Sequence, residues 1–437
     1  MNRREFLGGL AATALHALAS SACQARNPLP AARPHVVCVL VDQLRQDAFE
    51  RFAPVINGVA RGGVVFEQMR SVAPWTYPSV ISLLSGLLPQ QHGADGHPTE
   101  DRLMRFDAGV PLLPQRLREA GYRTAAFTTN PFLREWNPLH DSFDLFKSDF
   151  VRFVGSRRPT FSEFSLPEMF APSVNAALRA YYDAQSVGPP EFTYVHYIDV
   201  HGPWGGAPFA PDYRAAVEFV DHQIFELYQY FLRRSGGDLL FFVTSDHGLS
   251  LGDDLAIGDG PKWRRLKASP HEFNLRIPFV LLPSDRVTLP ARIAASCSNV
   301  DFVPTLTDLL GLEWPLVLPG RSLAPALQGR SLGEDPPTYS RMSAFGSRCD
   351  GMVVDGRKYM RFFDVENGAL VARMSFDLAS DPREIRSLGD DFGPAAALIE
   401  AQASDRGIAF AASDEAPSPE LEEQLRALGY LRGEEER

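Results

Sequence analysis

Two apolar, β-branched runs, VVCVLVD at 36–42 and LLFFVTSDH at 239–247, constrain this chain more than any other feature. A run that is apolar at nearly every position, rather than at alternate ones, reads as a strand buried on both faces, the habit of parallel sheets covered by helices. Both runs end in acid: Asp42 is followed by Gln43, and Asp246 by His247. In open α/β sheets the ligand site lies beyond the carboxyl ends of the strands, so these four side chains are expected to converge there. Taken singly, an Asp at a strand end is ordinarily a turn residue or a cap. Together, two carboxylates, an amide oxygen and an imidazole make a set suited to a hard or borderline divalent cation.

A third segment, APWTYPSVISLLSGLLPQQHG at 73–93, places Thr76 two residues before Pro78 at the start of a predicted helix. A helix N-terminus gathers unpaired N–H groups and the positive end of the dipole, which stabilise an alkoxide or a bound oxyanion. Taken alone, such a threonine is ordinarily a helix cap. In the company of the two acidic strand ends it is the candidate nucleophile.

Further strand-like runs at 124–129, 192–199 and 277–283 alternate with helix-like stretches at 111–121 and 211–234. The alternation predicts an α/β fold with a mainly parallel sheet sandwiched by helices. Pro111 near the start and Gly121 at the end bracket the first of those helices. Beyond about residue 335 the pattern changes to short strands at 351–355, 357–363 and 370–376, followed by a polar helical tail. With 437 residues the chain is long enough for one large domain, 34–335, and a small antiparallel α+β C-terminal subdomain, 336–437, joined near 330–339.

In this order the segments resemble the sulfatase branch of the alkaline phosphatase superfamily. VLVDQLRQD (39–47) is similar to the family's first metal-binding strand, TYPSVISLLSG (76–86) to its nucleophile helix and TSDHG (244–248) to its second metal pair. YIDVHGPW (197–204) matches its Asp-x-His-x-Pro segment, and RRLKASPHEFNLRIPFVLLP (264–283) its lysine-bearing stretch. VDFVPTLTDLLGL (300–312), FDLASDPREIRSL (376–388) and LRALGYL (425–431) add C-terminal landmarks. The resemblance implies an alkaline phosphatase-like three-layer sandwich and a metal-dependent hydrolase of sulfate or phosphate and phosphonate esters. It implies one divalent ion, calcium by family habit with manganese, magnesium or zinc open, held by Asp42, Gln43, Thr76, Asp246 and His247. His201 is implied as the proton donor to the leaving alcohol and Lys267 as an oxyanion contact, both touching substrate.

The departures from the family pattern matter as much. A typical sulfatase carries Cys or Ser in C/S-x-P-x-R, oxidised to formylglycine and contacted by the arginine; here Thr76 and Val80 occupy those places. No formylglycine is expected, because that conversion needs Cys or Ser. The family's Lys and His pair is also absent: GYRTAAFTTNPF (121–132) offers Thr129 and Asn130, with Asn130 the candidate substrate contact. Threonine nucleophiles are familiar in the superfamily's phosphodiesterases and phospho-group transferases. A transferase acting on a cell-envelope acceptor and a non-catalytic binding protein of this fold therefore stand as alternatives.

The N-terminus, MNRREFLGGLAATALHALASSACQA, sets Arg3-Arg4 before a run of small residues, the form of a twin-arginine export signal within 1–33. Cys23 is a candidate lipid anchor, with simple cleavage nearby the alternative, and the expected location is the periplasm or cell envelope. The remaining cysteines, Cys38, Cys297 and Cys349, are widely spaced and imply no disulfide framework. A net charge of -11 argues against a nucleic-acid partner and leaves a small anionic ester, a sulfated glycan or a phospho-ester, as the expected ligand. Nothing in the sequence fixes an oligomeric state.

Overall fold

The computed structural model describes residues 33–405 and 413–415 apart from 96–102, 107–108, 131, 134–137, 149–169, 187, 202–211, 253–268, 288, 345–346 and 365–366. Lys267, Cys23, the export segment and the 425–431 landmark lie outside the described residues. Fourteen described strands run β1 (His35–Val41), β2 (Val64–Arg70), β3 (Leu103–Arg105), β4 (Arg123–Thr128), β5 (Leu145–Lys147), β6 (Glu191–Tyr197), β7 (Leu239–Ser245), β8 (Phe279–Leu281), β9 (Ala291–Ser298), β10 (Thr338–Ala344), β11 (Ser347–Val354), β12 (Arg357–Phe363), β13 (Leu370–Asp377) and β14 (Ser413–Glu415). The main sheet has the order β5-β4-β6-β1-β7-β8-β2-β9, and β3 pairs with β14 apart from it. All neighbours in the main sheet are parallel except those of β8, which runs against both β7 and β2.

The run 36–42 becomes the central strand, buried along its whole length. Because successive side chains of a strand point to opposite faces, Val37, Val39 and Val41 pack with the helices Gln46–Phe52, Pro54–Ala60, Ala171–Asp183 and Tyr213–Arg234. Val36, Cys38 and Leu40 pack with Thr76–Ser85, Leu113–Glu119 and Phe302–Leu310 on the other side. Each fully buried aliphatic side chain contributes about 1.5–3 kcal/mol, so the three layers hold the sheet without help from polar groups at its rim. β1 and β7 end in register, Val41 opposite Ser245, and β6 ends beside them with Val41 opposite Tyr197. The residues that follow these strands are thereby delivered to one place.

Several boundaries differ from expectation for local reasons. The strand expected at 277–283 contracts to Phe279–Leu281, flanked by Pro278 and Pro283, which lack the N–H a ladder needs. The helix expected from Pro111 begins at Leu113, with Pro114 in its first turn, where the missing N–H costs nothing. Gly121, at φ 88°, follows its end as expected. The stretch 330–339, expected as linker, already enters β10 at Thr338. Strands β10–β13 form a separate antiparallel sheet. Its attachments to the main body include the Arg341 N–H, which donates to Val72 O at 2.8 Å, and Lys358 Nζ, 2.8 Å from Glu272 Oε1.

Candidate functional site

Thr76 is the first residue of the helix Thr76–Ser85, which starts abruptly from an extended Trp75. Its hydroxyl does not cap that helix. It lies 3.4 Å from Asp42 Oδ2 and 3.5 Å from His247 Nε2, fully buried. Pro78 fits the first turn because its missing N–H would be unpaired there in any case. Ser79 fastens the helix to the end of β7: its Oγ donates to Asp246 O at 2.6 Å and accepts from Asn299 Nδ2 at 3.1 Å.

The two aspartates are each half satisfied. Asp246 Oδ1 accepts the backbone N–H of Gln43 at 3.1 Å and of His247 at 2.8 Å. Asp42 Oδ2 accepts from Asn130 Nδ2 at 2.8 Å and lies 3.2 Å from His196 Nε2. Asp42 Oδ1 and Asp246 Oδ2 have no hydrogen-bond partner among the described residues, although both side chains are fully buried. The atom they face is His247 Nε2, 4.0 Å from Asp42 Oδ1 and 3.4 Å from Asp246 Oδ2. His247 Nδ1 sits 2.6 Å from Gly248 O, so the proton of a neutral ring belongs on Nδ1 and Nε2 presents a lone pair. An unpaired buried polar atom is costly, and here two anionic oxygens and an imidazole nitrogen meet with lone pairs inward. A divalent cation fits that donor set of Asp42, Asp246 and His247.

The electrostatics tell the same story. Burial pushes the Asp42 carboxyl up, but the nearby His201 and the hydrogen bond from His196, ahead of His247, hold it below the ordinary carboxylate range. Burial and the neighbouring Asp42 charge raise Asp246. Two carboxylates that share one cavity divide in this way unless a cation satisfies both. His201, on the turn after β6, is half-buried, and it is the first of the influences that lower Asp42. Gln43 reaches its place at φ 60°, in the left-handed region. That twist turns its N–H to Asp246 and its carbonyl to the Tyr213 hydroxyl at 2.9 Å.

Asn130, expected on the substrate, is engaged on both sides: its amide donates to Asp42 and its Oδ1 accepts Phe132 N–H at 2.9 Å. Val80, where an arginine would stand, is fully buried in the core beside Ile81 and Leu84. His196 and Tyr194 were not among the candidates. Their signal was present, a histidine near the carboxyl end of the run 192–199, whose other members apart from Asp199 are apolar, aromatic or threonine, yet nothing in the spacing distinguishes it from a core histidine. Asp199 in the same segment serves structure: both its oxygens accept Ala171 N–H at 3.1 Å, and burial pushes its carboxyl up to about 7.

Residues 34–312 match the model of the Sulfatase family. N-acetylglucosamine-6-O-sulfatase of Bacteroides thetaiotaomicron is 26% identical over 198 residues, 42% of this chain and 33% of that protein. The chain thus spans about a third of the length of several curated relatives that it matches. Delta 4,5-hexuronate-2-O-sulfatase of the same organism is 22% identical over 445 residues, covering 86% of this chain and 87% of its own. The crystal structure of phosphonate monoester hydrolase of Agrobacterium radiobacter shares the fold at a TM-score of 0.64 and 18% identity, over 89% of this chain and 100% of that one. With a family match over well more than half its length, the chain belongs to the sulfatase family.

Proposed function

We propose that this protein is a divalent-cation-dependent hydrolase of sulfate, phosphate or phosphonate esters with Thr76 as nucleophile. The observation that carries the reading is the position of Thr76 Oγ1, within 3.5 Å of both Asp42 Oδ2 and His247 Nε2, beside two buried carboxylate oxygens that lack partners. Asp42, Gln43, Thr76, Asp246 and His247 would hold the cation, calcium by family habit. When bound there, it lowers the pKa of a hydroxyl and opposes charge on the ester oxygens. Thr76 gives its proton to Asp246, whose carboxyl is raised, and its Oγ forms the new bond to sulfur or phosphorus as the ester oxygen leaves. His201 gives that oxygen its proton and, once neutral, takes one from the water that releases the covalent intermediate. Helix N–H groups, and Lys267 from outside the described residues, oppose charge on the non-bridging oxygens.

The substrate class follows from relatives named for glycan sulfates and for a phosphonate monoester, so a small anionic ester is the ligand we assign, a sulfated glycan or phospho-ester among them. Export is part of the same proposal, resting on Arg3-Arg4 and the small-residue run behind them, with Cys23 the candidate lipid anchor. No helix among the described residues is long and apolar enough to cross a membrane. Val80 favours a second reading, a binding protein of this fold without turnover, because a buried aliphatic side chain offers nothing to a transferring sulfuryl or phosphoryl group. Metal analysis of the purified protein and a screen of nitrophenyl sulfate, phosphate monoester, phosphodiester and phosphonate esters separate the two. Bound metal with turnover on one class supports the hydrolase; bound metal with no turnover on any class leaves the binding protein.

A further inference from the structure

Behind Asp42 stands a short buried chain of polar groups that the proposed reaction does not use. His196 Nε2 lies 3.2 Å from Asp42 Oδ2, and His196 Nδ1 lies 3.0 Å from the Tyr194 hydroxyl. Both side chains are fully buried on β6, where His196 sits opposite Leu40, two residues before Asp42. Among the described residues the Tyr194 hydroxyl has one hydrogen-bond acceptor, His196 Nδ1. A buried hydroxyl must donate its proton somewhere, and burial raises Tyr194 well above the ordinary phenol range, so that proton is retained. Donation from Tyr194 makes Nδ1 the acceptor and leaves the ring's own proton on Nε2, facing Asp42 Oδ2. The opposite tautomer would set a lone pair against a carboxylate oxygen and leave the phenol proton without an acceptor.

We propose that Tyr194 and His196 are positioning residues: by fixing the Nε2–H tautomer they hold Asp42 Oδ2, together with the Asn130 amide, so that Oδ1 is the oxygen presented to the cation. The inference rests on the cation site of the proposed function. It explains why Asp42 Oδ2 is bonded by Asn130 and His196, with the Thr76 hydroxyl at 3.4 Å besides, while Oδ1 has no partner among the described residues. Outer groups that orient a ligand carboxylate or imidazole typically change metal affinity about 10–100-fold when removed.

The test is calorimetric titration of the metal-stripped full chain with Ca2+ and with Mn2+. His196→Leu is expected to weaken the tighter-binding ion about 10–100-fold, and Tyr194→Phe about 10-fold or less, each titrated at a temperature where the metal-free variant is fully folded. His196→Gln, whose amide N–H reaches toward the same oxygen, is expected to recover most of the loss, a rescue that mere space-filling would not give. Nitrogen-15 imidazole spectra of the unsubstituted protein supply a second readout: His196 is expected as the Nε2–H tautomer, changing in Tyr194→Phe. Wild-type affinity in a folded His196→Leu, or an Nδ1–H tautomer in the unsubstituted protein, overturns this inference alone. Failure of the unsubstituted protein to bind either ion overturns the cation site and this inference with it.

Discussion

Two clusters of fully buried carboxylates lie in this molecule, and their surroundings are opposite. At the junction with the C-terminal sheet, Glu272 is held by Arg70 Nη2 at 2.9 Å and Lys358 Nζ at 2.8 Å, and Glu384 Oε2 accepts the Glu272 N–H at 2.6 Å. Arg70, Lys358 and, at 3.8 Å, Arg276 surround the Glu272 carboxylate, so its charge is met on the spot. At the ends of β1 and β7, Asp42 and Asp246 are as deeply buried, but no lysine or arginine pairs with either among the described residues. A closed cluster is a fastening between sheets; an open one has room for a cation to satisfy it. Burial of acid is common to both, so burial alone does not identify a site.

The largest effect is expected at the open cluster. Thr76→Ala should lower turnover on whichever ester the screen finds by roughly 10⁴-fold or more, the scale seen when a nucleophile is removed, with the fold little changed and turnover compared at saturating cation. Retained activity would take Thr76 out of the chemistry and with it the functional half of the contrast. Next is the closed cluster, where Glu272→Ala leaves Arg70 and Lys358 buried without their shared partner and should cost about 3–5 kcal/mol in urea unfolding. A loss below about 1 kcal/mol, the range of an exposed pair, would mean that the junction is not closed in the sense argued.

The sharpest comparison is one of sign. In metal-stripped protein, Asp246→Asn removes one of two adjacent anions and puts an amide donor near the His247 lone pair, so stability should rise by about 1–2 kcal/mol. In Ca2+ or Mn2+ the same variant should lose the stabilisation that the ion gives the parent. A fall in the metal-stripped midpoint would show that the open cluster is satisfied as it stands.

The smallest effect concerns Glu384. Burial, its largest influence, outweighs the pull of Lys358, and the charge of Glu272 adds to it, so its carboxyl is pushed up from 4.5 to about 8. The folded state therefore binds an extra proton between those values. This contribution to stability is complete below pH 4.5 and is lost as pH rises through about 8. Glu384→Gln, which can still accept the Glu272 N–H, should flatten that part of the curve. Parallel curves for parent and variant would remove Glu384 from the account.

What the sequence made legible followed from strong periodicity. β1 and β7 announce themselves as unbroken apolar runs, and their terminal residues supplied Asp42, Gln43, Asp246 and His247. Less was legible where partners decide. β2 and β9 carry polar residues along half their length and become strands by pairing with each other at the sheet's far edge. β8 is three residues between prolines, and its antiparallel direction comes from the space left between β7 and β2. His196 was invisible because its role lies in a contact across 154 positions of sequence. Glu384 was visible only as part of a landmark; its φ of 55° and its place between Glu272 and Lys358 are tertiary facts.

Gln43 carries a consequence for anyone wishing to improve this protein. A residue with a β-carbon in the left-handed region gives up about 1–2 kcal/mol that glycine would keep, so a search for stabilising substitutions would favour Gln43→Gly. The backbone bond to Asp246 would survive, since it needs only the turn and not the side chain. Lost would be the side-chain amide that the proposed function assigns to the cation. Robustness and the proposed chemistry therefore pull in opposite directions at this one position.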